Sequence, residues 1–162
     1  MEQTVRIIVL AAALGSGLMA GTFFVFSVAI MSAFGRLTPA EGLRAMQSIN
    51  LVIINPVFLG VFLGTALLSP VIFFLGLFKL GQPGWAYLIT GAAVHLVGSI
   101  LVTMFFNVPL NDALEAAQAG TAEGEAIWQN YLRNWTYWNH VRTIASLVSS
   151  ASIILGLASI HK

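Results

Sequence analysis

Apolar positions fall into four long runs, Ile7 to Phe34, Leu51 to Phe78, Trp85 to Phe106 and Thr143 to Ile160, none of which contains Asp, Glu, Lys or Arg. Crossing about 30 Å of hydrocarbon takes about 20 helical residues. The first two runs exceed that length, the third meets it, and the fourth reaches it by starting earlier. The pattern predicts spans over approximately 5–34, 50–78, 84–107 and 138–160. The expected fold is all-α, an integral membrane four-helix bundle forming a single transmembrane domain over residues 1–162, with a short interfacial helix before the last span.

The polar intervals are unequal. Lys79 to Gly84 is a tight turn, whereas the connections over 35–49 and 108–137 are long and share the opposite membrane face. In the first of these, Thr38, Pro39 and Glu41 read as an N-cap, a first helical residue and the closing member of a capping box. In the second, Thr121-x-x-Gly124 is a poor box, yet Glu123 to Tyr137 reads as the interfacial helix. Its aromatic residues Trp128, Tyr131, Trp135, Tyr137 and Trp138 suit a headgroup belt.

Within the runs, Gly17/Gly21, Gly60/Gly64 and Ser146/Ser150 are small-xxx-small pairs that let helices approach closely in lipid. Pro56 and Pro70 each remove a backbone donor and predict a kinked second span.

Composition narrows the function classes. Charged residues make up 8% of the chain and hydrophobic residues 58%, against roughly 25% charged in a soluble domain. The first apolar run is far longer than the ~7–15 residues of a signal-peptide core, so it reads as a retained span. There is no cysteine, which removes disulfides, thiolate metal sites and thiol redox chemistry. The net charge of +1 and the lack of a basic tract give no sign of nucleic acid. Both termini share one face with Lys79. Arg6, Lys79 and Lys162 lie there, against Arg36, Arg44, Arg133 and Arg142 on the other. Discounting Arg36 and Arg142 as site or structural residues leans toward termini inside, in a bacterial inner membrane.

The chemistry gathers at one mouth. Asn107 and Asn111 are four residues apart, although Pro109 between them argues against an unbroken helix. Trp135, Asn139 and Arg142 are spaced to share a helix face, and Trp138 is placed to stack on Arg142. Gln47, Asn50 and Asn55 lie on the same side of the membrane. Polar groups at such depth either find partners or mark a site. The structural reading is that the amides cap helices and hold loops, Asn55 bonds locally, and Arg142 pairs with Asp112 or Glu115. The functional reading is a small-molecule pocket.

His95 lies near the middle of the third span, eleven residues or about 16 Å from Phe106, whereas His140 lies near the surface and His161 is terminal and solvated. That difference in depth disfavours a haem held by His95 and His140. No ligand spacing suggests zinc.

These residues resemble the anthrone-oxygenase-like family of small four-span membrane proteins. The matching stretches are Phe24 to Met31, Leu37 to Gly42, Met46 to Asn50 with Asn55-Pro56, Asn107 to Asn111, and Trp135 to Thr143. The resemblance implies oxidation of an anthrone to an anthraquinone by molecular oxygen through an enolate, with no metal or flavin. Such a site needs a base, oxyanion donors and a dry aromatic pocket. On that reading His140 is the base, Asn107, Asn111 and Asn139 are donors, Arg142 stabilises negative charge, and Gln47, Asn50, Asn55, Trp135 and Trp138 bind substrate.

The expected partners are the lipid bilayer and a small lipophilic substrate, with a homo-oligomer as an open form. Two alternatives stay open: a non-catalytic binding or accessory membrane protein, and a haem protein with another ligand pairing. A proton-coupled exporter lacks its carboxylate, since all six acidic residues lie outside the apolar runs.

Overall fold

The computed structural model describes residues 2–160. His161 and Lys162, which entered the haem and orientation arguments, lie outside the described residues. Five helices account for the fold: α1 (Gln3–Phe34), α2 (Pro39–Ile53), α3 (Pro56–Leu77), α4 (Trp85–Glu115) and α5 (Ala122–Ile160). All but α2 are long and apolar enough to cross a membrane, making this a multi-pass membrane protein. The four long helices form a closed ring of contacts, α1 against α5, α5 against α4, α4 against α3, and α3 against α1. Their outer faces expose large apolar side chains such as Leu14, Leu67, Phe74 and Ile144, the surface that a hydrocarbon solvent requires.

Two cores fill the interior. One, toward the termini, joins Val9, Ala12, Ile72, Trp85, Leu88 and Ile153. The α3–α4 turn closes over it at Gly84, which has φ +82° and lies so near α5 that a Cβ would stand 2.3 Å from Gly156 O. Only glycine meets both conditions. The other core, at the opposite end, joins Met31, Leu43, Met46, Leu114, Trp128, Tyr131 and Trp135.

Several expectations need correction. The interfacial helix is not separate: α5 runs unbroken for 39 residues. Thr121 starts it by accepting from Gly124 N–H at 3.0 Å, and no proline interrupts the segment that follows. The aromatic residues of its first half do not form a belt. Trp128, Tyr131 and Trp135 are buried and stack in series, with centroids 6.0 and 5.6 Å apart, because α2 lies over them.

Pro56 does not kink a helix but opens one. It disfavours helical geometry at Asn55, whose backbone is extended, and Asn55 Oδ1 caps α3 by accepting from Val57 N–H and Phe58 N–H at 3.1 and 3.0 Å. Residues 50–53 therefore end α2 instead of starting a span.

Pro109, conversely, does not break α4. The turn at Thr103–Asn107 is widened to the π form, and Val108 N–H reaches back five residues to Thr103 O. This relieves the contact a proline ring makes with the carbonyl four residues earlier.

Among the small-residue pairs, Gly17 meets Ser150, with its Cβ position 3.3 Å from the hydroxyl, but Gly21, Gly60 and Gly64 face nothing within 4 Å. The close approaches fall instead at Gly15, Gly76, Gly91, Gly98 and Gly156.

Candidate functional site

All five helices contribute to one aromatic cavity of about 150 Å³. Its walls are Phe23 and Phe26 of α1, Met46, Ile49 and Asn50 of α2, Phe58 and Phe62 of α3, Thr103 and Asn111 of α4, and Trp135 and Arg142 of α5. The break between α2 and α3 lets both helices reach it, so the Asn55 cap serves the site by shaping the chain. Widened turns at Phe26–Ile30 in α1 and Thr103–Asn107 in α4 flank it. Such turns shift side chains off their regular register and are frequent at functional sites.

Arg142 dominates the electrostatics. Among the described residues it is the only Lys, Arg, Asp or Glu side chain that is buried, at 5% exposed. Its guanidinium lies 4.3 Å from the centroid of Phe23 and 5.0 Å from that of Trp135, close enough for the ring faces to attract the cation. Nη2 donates to Asn139 Oδ1 at 2.7 Å and Nη1 to Thr103 Oγ1 at 3.3 Å. Both partners are neutral. Asp112 and Glu115 are exposed, so the expected ion pair with either does not form.

Asn139 is fully buried and clamps this arrangement, its Nδ2 donating to Phe23 O and Ser27 Oγ, each at 2.7 Å. Asn107, also buried, donates from Nδ2 to Trp135 O at 3.2 Å. Asn111 Oδ1 accepts from Tyr131 Oη at 2.9 Å.

Three donors on cavity-lining residues have no partner: Asn50 Nδ2, Trp135 Nε1 and Arg142 Nε. Buried donors are ordinarily bonded. Two of them beside the guanidinium, whose own Nε is the third, suit an anionic or strongly accepting oxygen.

The sequence-predicted residues thus divide. Asn50, Asn111, Trp135 and Arg142 line the cavity, and Asn107 and Asn139 support it from behind. Gln47 does not reach it; its amide donates to the carbonyls of Leu114 and Ala117 at 2.9 and 3.1 Å, tying α2 to the end of α4. Asn55 is a helix cap. Trp138 stacks on Phe106 with centroids 3.7 Å apart, not on Arg142. His140 is exposed and is not part of the cavity wall. It follows Asn139 by one residue, and a helix turns consecutive side chains about 100° apart.

Sequence reasoning missed Phe23, Phe26, Met46, Ile49, Phe58, Phe62 and Thr103. In an apolar run a cavity-facing phenylalanine reads the same as a lipid-facing one. Thr103 alone carried a signal, as a hydroxyl in the third run. Among the described residues no group of three or more His, Cys, Asp or Glu could hold a metal ion.

Comparison with curated proteins and with solved structures gives no match. Residues 52–152, more than half of the chain and inclusive of Asn107, Trp135, Asn139 and Arg142, match the family model described as anthrone oxygenase, and the chain belongs to that family.

Proposed function

We propose that the cavity binds an enolisable, lipophilic aromatic ketone of the anthrone class and stabilises its enolate for direct oxidation by molecular oxygen. The observation that carries this reading is the set of unpartnered donors, Asn50 Nδ2, Trp135 Nε1 and Arg142 Nε, on the walls of an aromatic cavity that holds a buried, unpaired cation. Family membership supports an oxygenase-like function.

The chemistry follows from charge. Loss of a methylene proton from the ketone puts negative charge on its oxygen, and donors fixed in a water-poor site stabilise that charge without reorganising. The enolate is electron-rich enough to reduce oxygen directly, so the reaction draws on no cofactor. Phe23, Phe26, Phe58 and Phe62 supply flat apolar walls for the rings. Val52, Ile54 and Val57, exposed around the α2–α3 break, offer the substrate a route from the lipid.

Binding without turnover is the second reading, favoured by one feature: the cavity walls carry neither carboxylate nor imidazole. Oxygen uptake by the purified protein with anthrone as substrate separates the two. The oxygenase reading expects uptake that depends on anthrone and is lost in Arg142→Met. Tight binding of anthrone with no oxygen consumption in the wild type would leave the binding reading alone.

A further inference from the structure

Tyr131 is buried at 1% exposed, and its phenol donates to Asn111 Oδ1 at 2.9 Å. In the buried cluster of Met31, Leu43, Met46, Leu114, Trp128, Tyr131 and Trp135 it alone carries a hydroxyl. A phenylalanine would stack between Trp128 and Trp135 equally well, so packing does not explain the oxygen. The two stacking contacts, with planes 14° and 18° from parallel, fix the ring and with it the position of the phenol. A buried phenol calls for a hydrogen-bond partner, and Asn111 is that partner.

Asn111 faces two ways. It lines the cavity, whereas Tyr131 stands behind the wall. α4 carries it there because the widened turn at Thr103–Asn107 lets the helix continue through Pro109. Among the described residues its one side-chain hydrogen bond runs through Oδ1. A carboxamide holds an acceptor and a double donor on one carbon. With Oδ1 taken by the phenol behind the wall, Nδ2 is turned to the open side. Freed from the phenol, the amide could present either end, and an Oδ1 facing inward would repel the oxygen that its neighbours attract. Those neighbours, Asn50, Trp135 and Arg142, all offer unpartnered N–H donors to the same cavity.

We propose that Tyr131 is a positioning residue. It holds the Asn111 amide with Nδ2 toward the ligand, so that the cavity selects a ring system bearing an accepting oxygen over a hydrocarbon of the same shape. The ligand class is that of the oxidation reading above, on which the inference rests. Tyr131 itself touches no ligand and acts only through Asn111. Loss of its hydroxyl is therefore felt by a ketone and not by a hydrocarbon. A bond that merely tied α4 to α5 would affect both ligands alike.

The test uses the full-length protein in lipid nanodiscs under argon, where binding is read without turnover. The probes are anthrone and the hydrocarbon dihydroanthracene. Tyr131→Phe keeps the stack and removes the hydroxyl. It should weaken anthrone binding about fivefold to tenfold, the scale of one hydrogen bond, and dihydroanthracene binding by less than about twofold. Asn111→Ala should do the same, and the double variant should bind no more weakly than either single one, because both changes remove one shared interaction. If Tyr131→Phe does not fold, the wild type decides. Its ¹⁵N-labelled Asn111 amide signal should shift on adding anthrone and stay in place on adding dihydroanthracene. Unchanged anthrone affinity, an equal loss for both ligands, additive losses in the double variant or an unmoved amide signal overturns the positioning role. With oxygen admitted, a wild type that prefers anthrone to the hydrocarbon but consumes no oxygen overturns the oxidation step alone.

Discussion

Arg142 Nη2 donates to Asn139 Oδ1 at 2.7 Å, so this buried cation is held by an amide where a carboxylate would have neutralised it. The amide is itself fixed by Phe23 O and Ser27 Oγ, which leaves it no freedom to turn away. A buried charge kept in place without being paired contributes little to stability and much to recognition of an anion.

Arg142→Met should therefore separate stability from activity. Replacing the unpaired buried charge by an apolar side chain of similar volume removes a desolvation cost of several kcal/mol, which offsets part of the hydrogen bonding lost. Removing an oxyanion donor typically lowers kcat about 10²–10³-fold. The variant leaves Asn139 Oδ1 without its donor. The expected outcome is a thermal midpoint in detergent lowered by no more than the effect of one unsatisfied buried group, about 1–3 kcal/mol, with anthrone-dependent oxygen uptake reduced by about 10²–10³-fold. A large drop in midpoint with unchanged uptake would contradict the proposed role.

Asn139→Leu should cost stability through more than one lost bond. It leaves the Arg142 guanidinium, Phe23 O and Ser27 Oγ each short of a partner inside the core. Each keeps another partner, Thr103 Oγ1, Phe26 N–H and Thr143 Oγ1 respectively, so the loss should amount to about 1–3 kcal/mol, the scale of one unsatisfied buried group. Thermal unfolding should show a marked fall in midpoint whether or not ligand is present.

His140→Gln should leave oxygen uptake within about twofold of wild type, since His140 is exposed on the outside of α5 and generic surface substitutions are usually near neutral. A loss of kcat on the scale expected of a general base would show that the side chain reaches the substrate after all, and would restore the role its sequence neighbourhood suggested.

How much of this was legible beforehand differs by kind of information. The four spans were written in run length, and the α2 start was written in Thr38, Pro39 and Glu41, because local chemistry decides both. Asn139 and Arg142 were legible as a shared face because helical spacing is fixed by geometry. His140 misled because proximity in sequence to two buried residues says nothing about direction when each step turns the side chain. The continuity of α5 was hidden by its change of composition near Tyr137, where the environment alters but the backbone does not. Pro56 and Pro109 carry the same local restriction with opposite outcomes. The extended Asn55 and the widened turn before Val108 separate them, and neither follows from proline itself.

The Thr38–Glu41 cap makes α2 sensitive to acid. Glu41 Oε2 accepts from Thr38 Oγ1 at 2.6 Å and from Thr38 N–H at 3.0 Å. The Thr38 hydroxyl bond first, then the backbone bond, holds its carboxyl below the ordinary value of 4.5. A carboxylate depressed in the folded state contributes stability that is full above its unfolded value and is lost as pH falls through the folded one. Amide exchange over residues 39–43 should accelerate as pH drops below about 4.5, after correction for intrinsic rates. In Glu41→Gln that acceleration should vanish.

Gly42 connects this cap to the cavity. A Cβ there would stand 2.5 Å from Trp128 Cζ2 and 3.0 Å from Phe34 O, so any side chain must push α2 away from α5 and α1. The same helix supplies Met46, Ile49 and Asn50 to the cavity, and lifting its start alters their position without touching them. Gly42→Ala should weaken anthrone binding by about tenfold, roughly 1.4 kcal/mol, with the four long helices intact by circular dichroism. Gly64→Ala is the control. It adds the same methyl group where nothing lies within 4 Å, and binding should remain at the wild-type level. Equal loss in both variants would show that glycine flexibility, not the seating of α2 on Trp128, governs the pocket.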